Sequence, residues 1–290
     1  MSAGTGLLDI HLTEDDADKA LREDVRSGLT APFKHLPPKW FYDARGSELF
    51  EAITQLPEYY PTRTEHALLQ RSVDEIAAMS GADTLIELGS GSSAKTRLLL
   101  DAFTRTGTLR RYVPQDVSAP ALRQAMDALA PDYPGLALHG VVSDFTAHLD
   151  RLPGGDRRMI AFLGGTIGNL RPHERRVFLD ELRSVLAPGE QLLLGTGLVL
   201  DEPTLVAAYD DSAGITAEFN RNVLHVLNRE LGADFDVDAF AHVALWDPVD
   251  EWIEMRLRAT RAMTVHVREL DLVAEFAHGE EMRTEISAKF

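Results

Sequence analysis

Two glycines and three carboxylates, spaced as they would be at the ends of successive strands, carry the first chemical signal: Glu87-Leu88-Gly89-Ser90-Gly91, then Asp116, then Asp144-Phe145. Glycines at 89 and 91 let the backbone pass close to a ligand without Cβ obstruction. A carboxylate closing a second strand can accept both hydroxyls of a ribose. Asp144 offers an acceptor for an adenine amine beside the aromatic face of Phe145. Glu87, just ahead of the glycines, suits a ligand that brings an ammonium group and no pyrophosphate to that turn. The third glycine of a dinucleotide fingerprint is replaced by Ala94, and Lys95 is not in Walker spacing. Each residue alone has a plainer reading, such as a tight turn for Gly89-Ser90-Gly91 or a helix cap for Asp116 before Ser118-Ala119-Pro120. The spacing carries the case, and it points to S-adenosylmethionine.

A doubly wound sheet positions such residues, because ligands of open parallel sheets bind beyond the carboxyl ends of the strands. Apolar runs predict strands at 84–88, 112–115, 136–142, 159–163 and 191–194, separated by helical patterns at 96–104, 120–129 and 172–186. Thr13-Glu14-Asp15-Asp16 reads as a helix start leading to about Ser27, and 62–79 as an amphipathic helix. The proline-rich, aromatic stretch 31–60 reads as mostly irregular backbone. Beyond Thr196 a long helix over 211–231 and a shorter one near 237–241 precede strand-like runs at 252–267, 270–276 and 283–290, with Ile253, Met255 and Leu257 on one face. The expected fold class is α/β, a Rossmann-type class I methyltransferase sheet over 61–196, continued by 286–290. A second α+β substrate-binding lobe is expected from 1–60 plus 197–285.

Composition narrows the partners. The 290 residues carry 29 basic and 46 acidic side chains, a net charge of −17 that repels nucleic acid and anionic lipid. No apolar run approaches a membrane span, and Met1 to Leu12 lacks a signal-peptide pattern, so a cytoplasmic protein, expected as a monomer, is the reading. There is no cysteine, and the ten histidines form no H-x-H or H-x-x-x-H pair, so no metal site is expected.

Longer segments carry a resemblance. Leu36-Pro37-Pro38-Lys39-Trp40-Phe41-Tyr42-Asp43, Leu56-Pro57-Glu58-Tyr59-Tyr60-Pro61-Thr62-Arg63-Thr64-Glu65 and Thr166-Ile167-Gly168-Asn169-Leu170 belong to it. So do Ala208-Tyr209-Asp210-Asp211, Glu218-Phe219-Asn220-Arg221-Asn222 and Gly279-Glu280-Glu281-Met282-Arg283-Thr284-Glu285-Ile286-Ser287. With the glycine turn, these make the chain similar, from about residue 15 to its end, to the actinobacterial-type L-histidine N-alpha-methyltransferases of ergothioneine biosynthesis.

The resemblance implies Nα-trimethylation of L-histidine to hercynine, with release of S-adenosylhomocysteine. It implies that Tyr59, Asn169 and Tyr209 hold the amino-acid end of the substrate and that Glu285 and Ser287 hold the imidazole. Phe50 and Met255 line the same pocket, and Tyr42, near the amine, joins Tyr59 and Asn169 as the catalytic set. Cofactor positions map onto Tyr42, Gly89, Lys95, Asp116, Asp144 and Phe145, to which the turn itself adds Glu87 and Gly91.

Departures from the family pattern are Gly165 in place of serine, Gly197 in place of aspartate, and an end at Lys289-Phe290 where family members continue through a helix and closing strands. An exposed edge strand is expected from this last feature. The alternatives are a methyltransferase of another amino acid or amine, a cofactor-binding protein without activity, and, more remotely, an NAD-dependent oxidoreductase.

Overall fold

A computed structural model describes residues 6–91 and 94–290; Met1 to Thr5 of the N-terminal stretch lie outside the described residues. The first half of the chain comprises β1 (Leu7–Ile10), α1 (Glu14–Thr30), α2 (Ala44–Thr54), α3 (Tyr60–Ser80), β2 (Thr84–Leu88), α4 (Ala94–Arg105), β3 (Arg111–Asp116), α5 (Ala119–Leu129) and β4 (Ala137–Val142). The second half comprises β5 (Arg158–Phe162), α6 (Pro172–Val185), β6 (Gln191–Leu194), α7 (Glu202–Ala207), α8 (Ile215–Glu230), β7 (Phe240–Asp247), β8 (Trp252–Ala259), β9 (Met263–Val267), β10 (Leu272–Phe276) and β11 (Glu281–Ala288).

The chain divides into two compact units. The first contains residues 1–13, 64–167 and 171–196 and is built on a parallel sheet of order β1-β4-β3-β2-β5-β6. Its central strands β2 and β5 are buried along their whole length, which explains why they read as short unbroken apolar runs. Strand order reverses at β2, flanked by β3 and β5, so the carboxyl ends of these strands form the crevice where ligands of such sheets bind. β1 is an addition to the sequence reading: it pairs in parallel with β4, and His139 Nε2 lies 2.8 Å from Asp9 Oδ2 across the pair. β6 is the opposite edge, paired only with β5 among the described residues.

The second unit contains residues 14–63, 168–170 and 197–290. It holds an antiparallel sheet of order β11-β8-β7 and a β9-β10 hairpin. α8 supplies the middle of its core, with Phe219, Val223, Leu224 and Leu227 packed among Leu21, Val25, Leu257 and Phe276. The expectation that 286–290 would continue the parallel sheet is corrected here. β11 is hydrogen-bonded along its length to β8, antiparallel, which places those residues in the second unit.

The stretch 31–60 is also more regular than expected. Asp43 Oδ1 accepts the Gly46 N–H at 2.8 Å and caps α2, a local signal hidden among prolines and aromatics.

One ion pair clamps the start of β5 to the turn before β6. Arg158 Nε and Nη2 donate to the two carboxylate oxygens of Glu190 at 2.6 Å each, with both side chains almost fully buried. The guanidinium holds Glu190 down to about 2, so this pair's stabilisation is fully present above the ordinary carboxylate range and is lost as pH falls through about 2. Glu190→Gln leaves a buried guanidinium without its counter-charge and is expected to cost roughly 3 kcal/mol. Thermal melts at pH 7 and pH 3 check both points: the variant should melt lower at pH 7, and the gap from wild type should narrow at pH 3.

Candidate active site

In the first unit the glycine turn sits at the end of β2 with φ of +66° at Gly89 and +47° at Gly91, a left-handed conformation that side chains resist. No neighbouring atom would meet a Cβ on Gly89, and on Gly91 the nearest would be 4.0 Å away, so open space lies over the turn. Gln115 anchors it from beneath. Its side-chain oxygen and its carbonyl both accept the Gly89 N–H, at 3.3 and 2.9 Å, while its amide reaches back to Ser143 at the end of β4. Asp116 closes β3 and accepts the N–H groups of Ser118, at 3.1 Å, and of Gly91; burial nevertheless pushes its carboxyl up. A desolvated carboxylate beside an open glycine turn is suited to taking the paired hydroxyls of a ribose.

Asp144 follows β4 and accepts from the Thr146 N–H at 2.8 Å and the Thr146 hydroxyl at 2.5 Å, forming an Asx turn. Phe145 stands in a ring cluster with Phe162 and Phe178 at centroid distances of 5.1 and 5.8 Å. These features fit an adenosine-bearing cofactor laid across the strand ends.

Two of the expected cofactor contacts are occupied otherwise. Glu87 is buried, and its Oε2 accepts the hydroxyls of Thr96 and Tyr112, each at 2.7 Å, so this carboxylate braces α4 and β3 against β2. Burial pushes the Glu87 carboxyl up, against the two hydroxyls that favour its charge, and pushes the Tyr112 phenol well up. Lys95, on the first turn of α4, pairs with Glu65, whose other oxygen accepts the Gly164 N–H at 2.8 Å at the end of β5. Glu65 thus links α3, α4 and β5, and sequence reasoning did not single it out. It lies inside a segment matched by the family resemblance, which was its only sequence signal.

In the second unit, β11 carries a β-bulge between Arg283 and Glu285. Met282 opposes Leu257, and after the bulge Glu285 opposes Met255 and Ser287 opposes Ile253. Leu257, Met255 and Ile253 all belong to the core face of β8. Strict alternation from Met282 would turn Glu285 away from that face, and the extra residue turns it in. Ile286 and Ala288 then pack on the other face with Trp252.

Glu285 accepts no hydrogen bond among the described residues, and burial pushes its carboxyl up to about 7, opposed by the positive charge of Lys289. Ser287 Oγ accepts the Tyr209 hydroxyl at 2.7 Å, and Lys289 Nζ donates to both oxygens at 2.9 Å.

Beside this strand lie the remaining candidates. Gly168 approaches so closely that a Cβ would stand 2.7 Å from the Ala288 carbonyl oxygen, and this holds the half-buried Asn169 next to the end of β11. Gly197 borders Lys289 in the same way, where a Cβ would stand 3.1 Å from Cδ. Tyr59 and Tyr209 meet edge to face at 6.2 Å, and Phe50 meets Tyr59 at 6.2 Å and Tyr42 at 5.5 Å. Phe219 joins them, 5.4 Å from Tyr42 and 5.9 Å from Phe50. The second unit therefore contains Tyr42, Phe50, Tyr59, Asn169, Tyr209, Met255, Glu285 and Ser287, while the other expected cofactor residues belong to the first unit.

Buried amides brace this face from α8. Asn222 donates to the Phe41 carbonyl at 3.1 Å and to the Asp43 carboxylate at 2.8 Å, holding the residues on either side of Tyr42. Asn220 donates to His242 Nδ1 at 2.8 Å, so that nitrogen is the bare one, and Nε2 donates to the Tyr209 carbonyl at 2.8 Å. Burial pushes His242 down and keeps it neutral, as this arrangement requires. The bulged Thr284 donates to Asn220 at 2.6 Å, which ties the bulge to the backbone of Tyr209. Asn220, Asn222 and Lys289 were missed as site residues. Two asparagines on the buried side of a helix, and a lysine in step with Glu285 and Ser287, were the available signals.

Among the described residues no group of histidines and carboxylates could hold a metal, and no helix is long and apolar enough to cross a membrane.

A family model described as histidine-specific methyltransferase, SAM-dependent, matches residues 21–290. The chain is 58% identical over 280 residues to the histidine N-alpha-methyltransferase of Mycolicibacterium smegmatis, covering 97% of this chain and 87% of that one. It is 56% identical to the Mycobacterium tuberculosis protein of the same name over the same shares. Ergothioneine biosynthesis protein 1 of Neurospora crassa is 33% identical over 225 residues, 73% of this chain and 26% of that protein.

If Asp116 takes the ribose, Asp116→Ala removes a charge-assisted acceptor and should weaken S-adenosylhomocysteine binding by tenfold or more in calorimetry. An affinity within twofold of wild type refutes that placement.

Proposed function

Because the chain belongs to the SAM-dependent histidine-specific methyltransferases, we propose that it transfers three methyl groups in turn to the α-nitrogen of L-histidine. The product is the Nα-trimethyl betaine hercynine, with three S-adenosylhomocysteine released, a step of ergothioneine biosynthesis. The observation that carries the substrate assignment is the face of β11 after the bulge, where Glu285, an open acceptor, and Ser287 stand two residues apart among Tyr209, Met255 and Lys289.

S-adenosylmethionine supplies an electrophilic methyl on a sulfonium centre. Glu285 accepts an imidazole N–H, and a desolvated carboxylate of this kind discriminates strongly against side chains that cannot donate. Asn169, with Tyr59 and Tyr209, takes the amino-acid end. Positioning the free amine supplies most of the acceleration, so no strong base is needed. Tyr42, Phe50, Tyr59 and Phe219 present π faces to a nitrogen that becomes permanently cationic as methyl groups accumulate. Four substituents exhaust the nitrogen, and the reaction stops at the betaine.

Mass spectrometry of histidine incubated with the cofactor and the protein should show a species with three added methyl groups. Methylation of some other amine, with histidine untouched, would replace the substrate while leaving the class intact. Glu285→Ala should raise KM for histidine at least tenfold and leave affinity for S-adenosylhomocysteine unchanged. Glu285 sheds its proton near 7, so kcat/KM for histidine should rise with pH through that value. Glu285→Gln keeps an acceptor oxygen but has no proton to lose. The ratio of wild-type to Gln profiles cancels the substrate's own titrations and should isolate a single ionisation near 7.

A further inference from the structure

Ser287, Tyr209 and Lys289 form a closed triangle of buried polar groups at the end of β11. The Lys289 ammonium also lies 4.9 Å from the centroid of the Tyr209 ring. An ammonium has donors and no acceptor, so Nζ fills one lone pair on each hydroxyl oxygen. One proton bridges the two hydroxyls, and the phenol, the stronger acid, gives it to Ser287 Oγ at 2.7 Å. Ser287 then accepts twice, and its own proton points out of the triangle. Glu285, on the same face of the strand, is acceptor-only once ionised.

We infer that Lys289 sets the hydrogen-bond polarity of the imidazole end of the site, leaving Ser287 a donor beside the acceptor Glu285, so that the pair takes an uncharged imidazole with one N–H and one bare nitrogen. This rests on the histidine reading of the site. An imidazolium brings a second N–H against the Ser287 proton and the Lys289 charge. A pyrrole brings an N–H for Glu285 but nothing for Ser287 to donate to, leaving a buried donor unpaired. Lys289 is thus a positioning and specificity-determining residue that acts through Ser287. Its charge also opposes the upward push of burial on Glu285; the β8 residue paired with Glu285 is the uncharged Met255.

Lys289→Met keeps an unbranched stem in the buried slot and removes the donors. The variant should raise KM for histidine at least tenfold with kcat within about threefold. The preference for histidine over whichever of its pyrrole analogues, 3-(pyrrol-2-yl)alanine or 3-(pyrrol-3-yl)alanine, is the better substrate should fall from a hundredfold or more in kcat/KM to tenfold or less. The ionisation assigned to Glu285 should move to higher pH. A purely structural role would depress both substrates alike and leave that ionisation in place, and either outcome overturns the inference.

Should Lys289→Met not fold, the unaltered protein gives the answer through nitrogen NMR of 15N-ring-labelled histidine bound with S-adenosylhomocysteine at pH 6. A neutral ring with one N–H and one bare nitrogen is expected, and a bound imidazolium overturns the inference. Failure of the unaltered protein to bind or methylate histidine overturns the functional reading instead.

Discussion

The parity of one strand governs the second unit. β11 must bury Met282 in the core and also present Glu285 to that same face, three residues on, which simple alternation forbids. The bulge resolves the conflict, and its extra residue is not wasted. Thr284 turns its hydroxyl to Asn220, whose amide holds His242, whose other nitrogen holds the carbonyl of Tyr209. The residue that reverses the strand therefore also fixes the backbone of a tyrosine on which Ser287 and Lys289 converge. Thr284, Asn220 and His242 each have a partner in this series, so it can be rigid without the penalty of an orphaned donor or acceptor.

In the first unit burial sorts the carboxylates. Glu87 lies beneath the glycine turn with two hydroxyls on one oxygen, a scaffold group whose charge is disfavoured by its surroundings. Asp116 lies at the strand end, held by backbone N–H groups but still short of the solvation it has lost. Glu65 spans Lys95 and the Gly164 N–H. Three acids close in space thus have three occupations, set by what each oxygen already touches rather than by residue type. The proposed cofactor site draws on the one that stands at a strand end beside the open glycine turn.

That sorting also explains what could be read from the sequence. Buried parallel strands appear as short apolar runs that end in turns, so β2 to β6 and the placement of Gly89, Asp116 and Asp144 at strand ends were legible from pattern and spacing. β1 was not, because four residues at an edge leave almost no periodicity, and α2 was masked by the prolines around it. The inward turn of Glu285 could not be derived at all. Alternation places it opposite to where the bulge puts it, and only the resemblance singled it out. Lys289 stands in step with Glu285 and Ser287, but that spacing alone does not distinguish a buried lysine from a solvated one, so its burial needed the coordinates.

The proposed substrate pocket separates its charges in a way that suits the chemistry. An amine must lose its proton before it can attack, and a carboxylate beside it would stabilise the protonated form and silence it. Aromatic faces attract a cation more weakly and accept no strong hydrogen bond, so they hold a methylated ammonium without retaining a proton on its precursor. Tyr42, Phe50, Tyr59 and Phe219 form such a surface. Glu285 sits instead on the strand that the proposal gives to the imidazole, where a full negative charge serves recognition. Were the two exchanged, the same residues would bind histidine tightly in the state that cannot react.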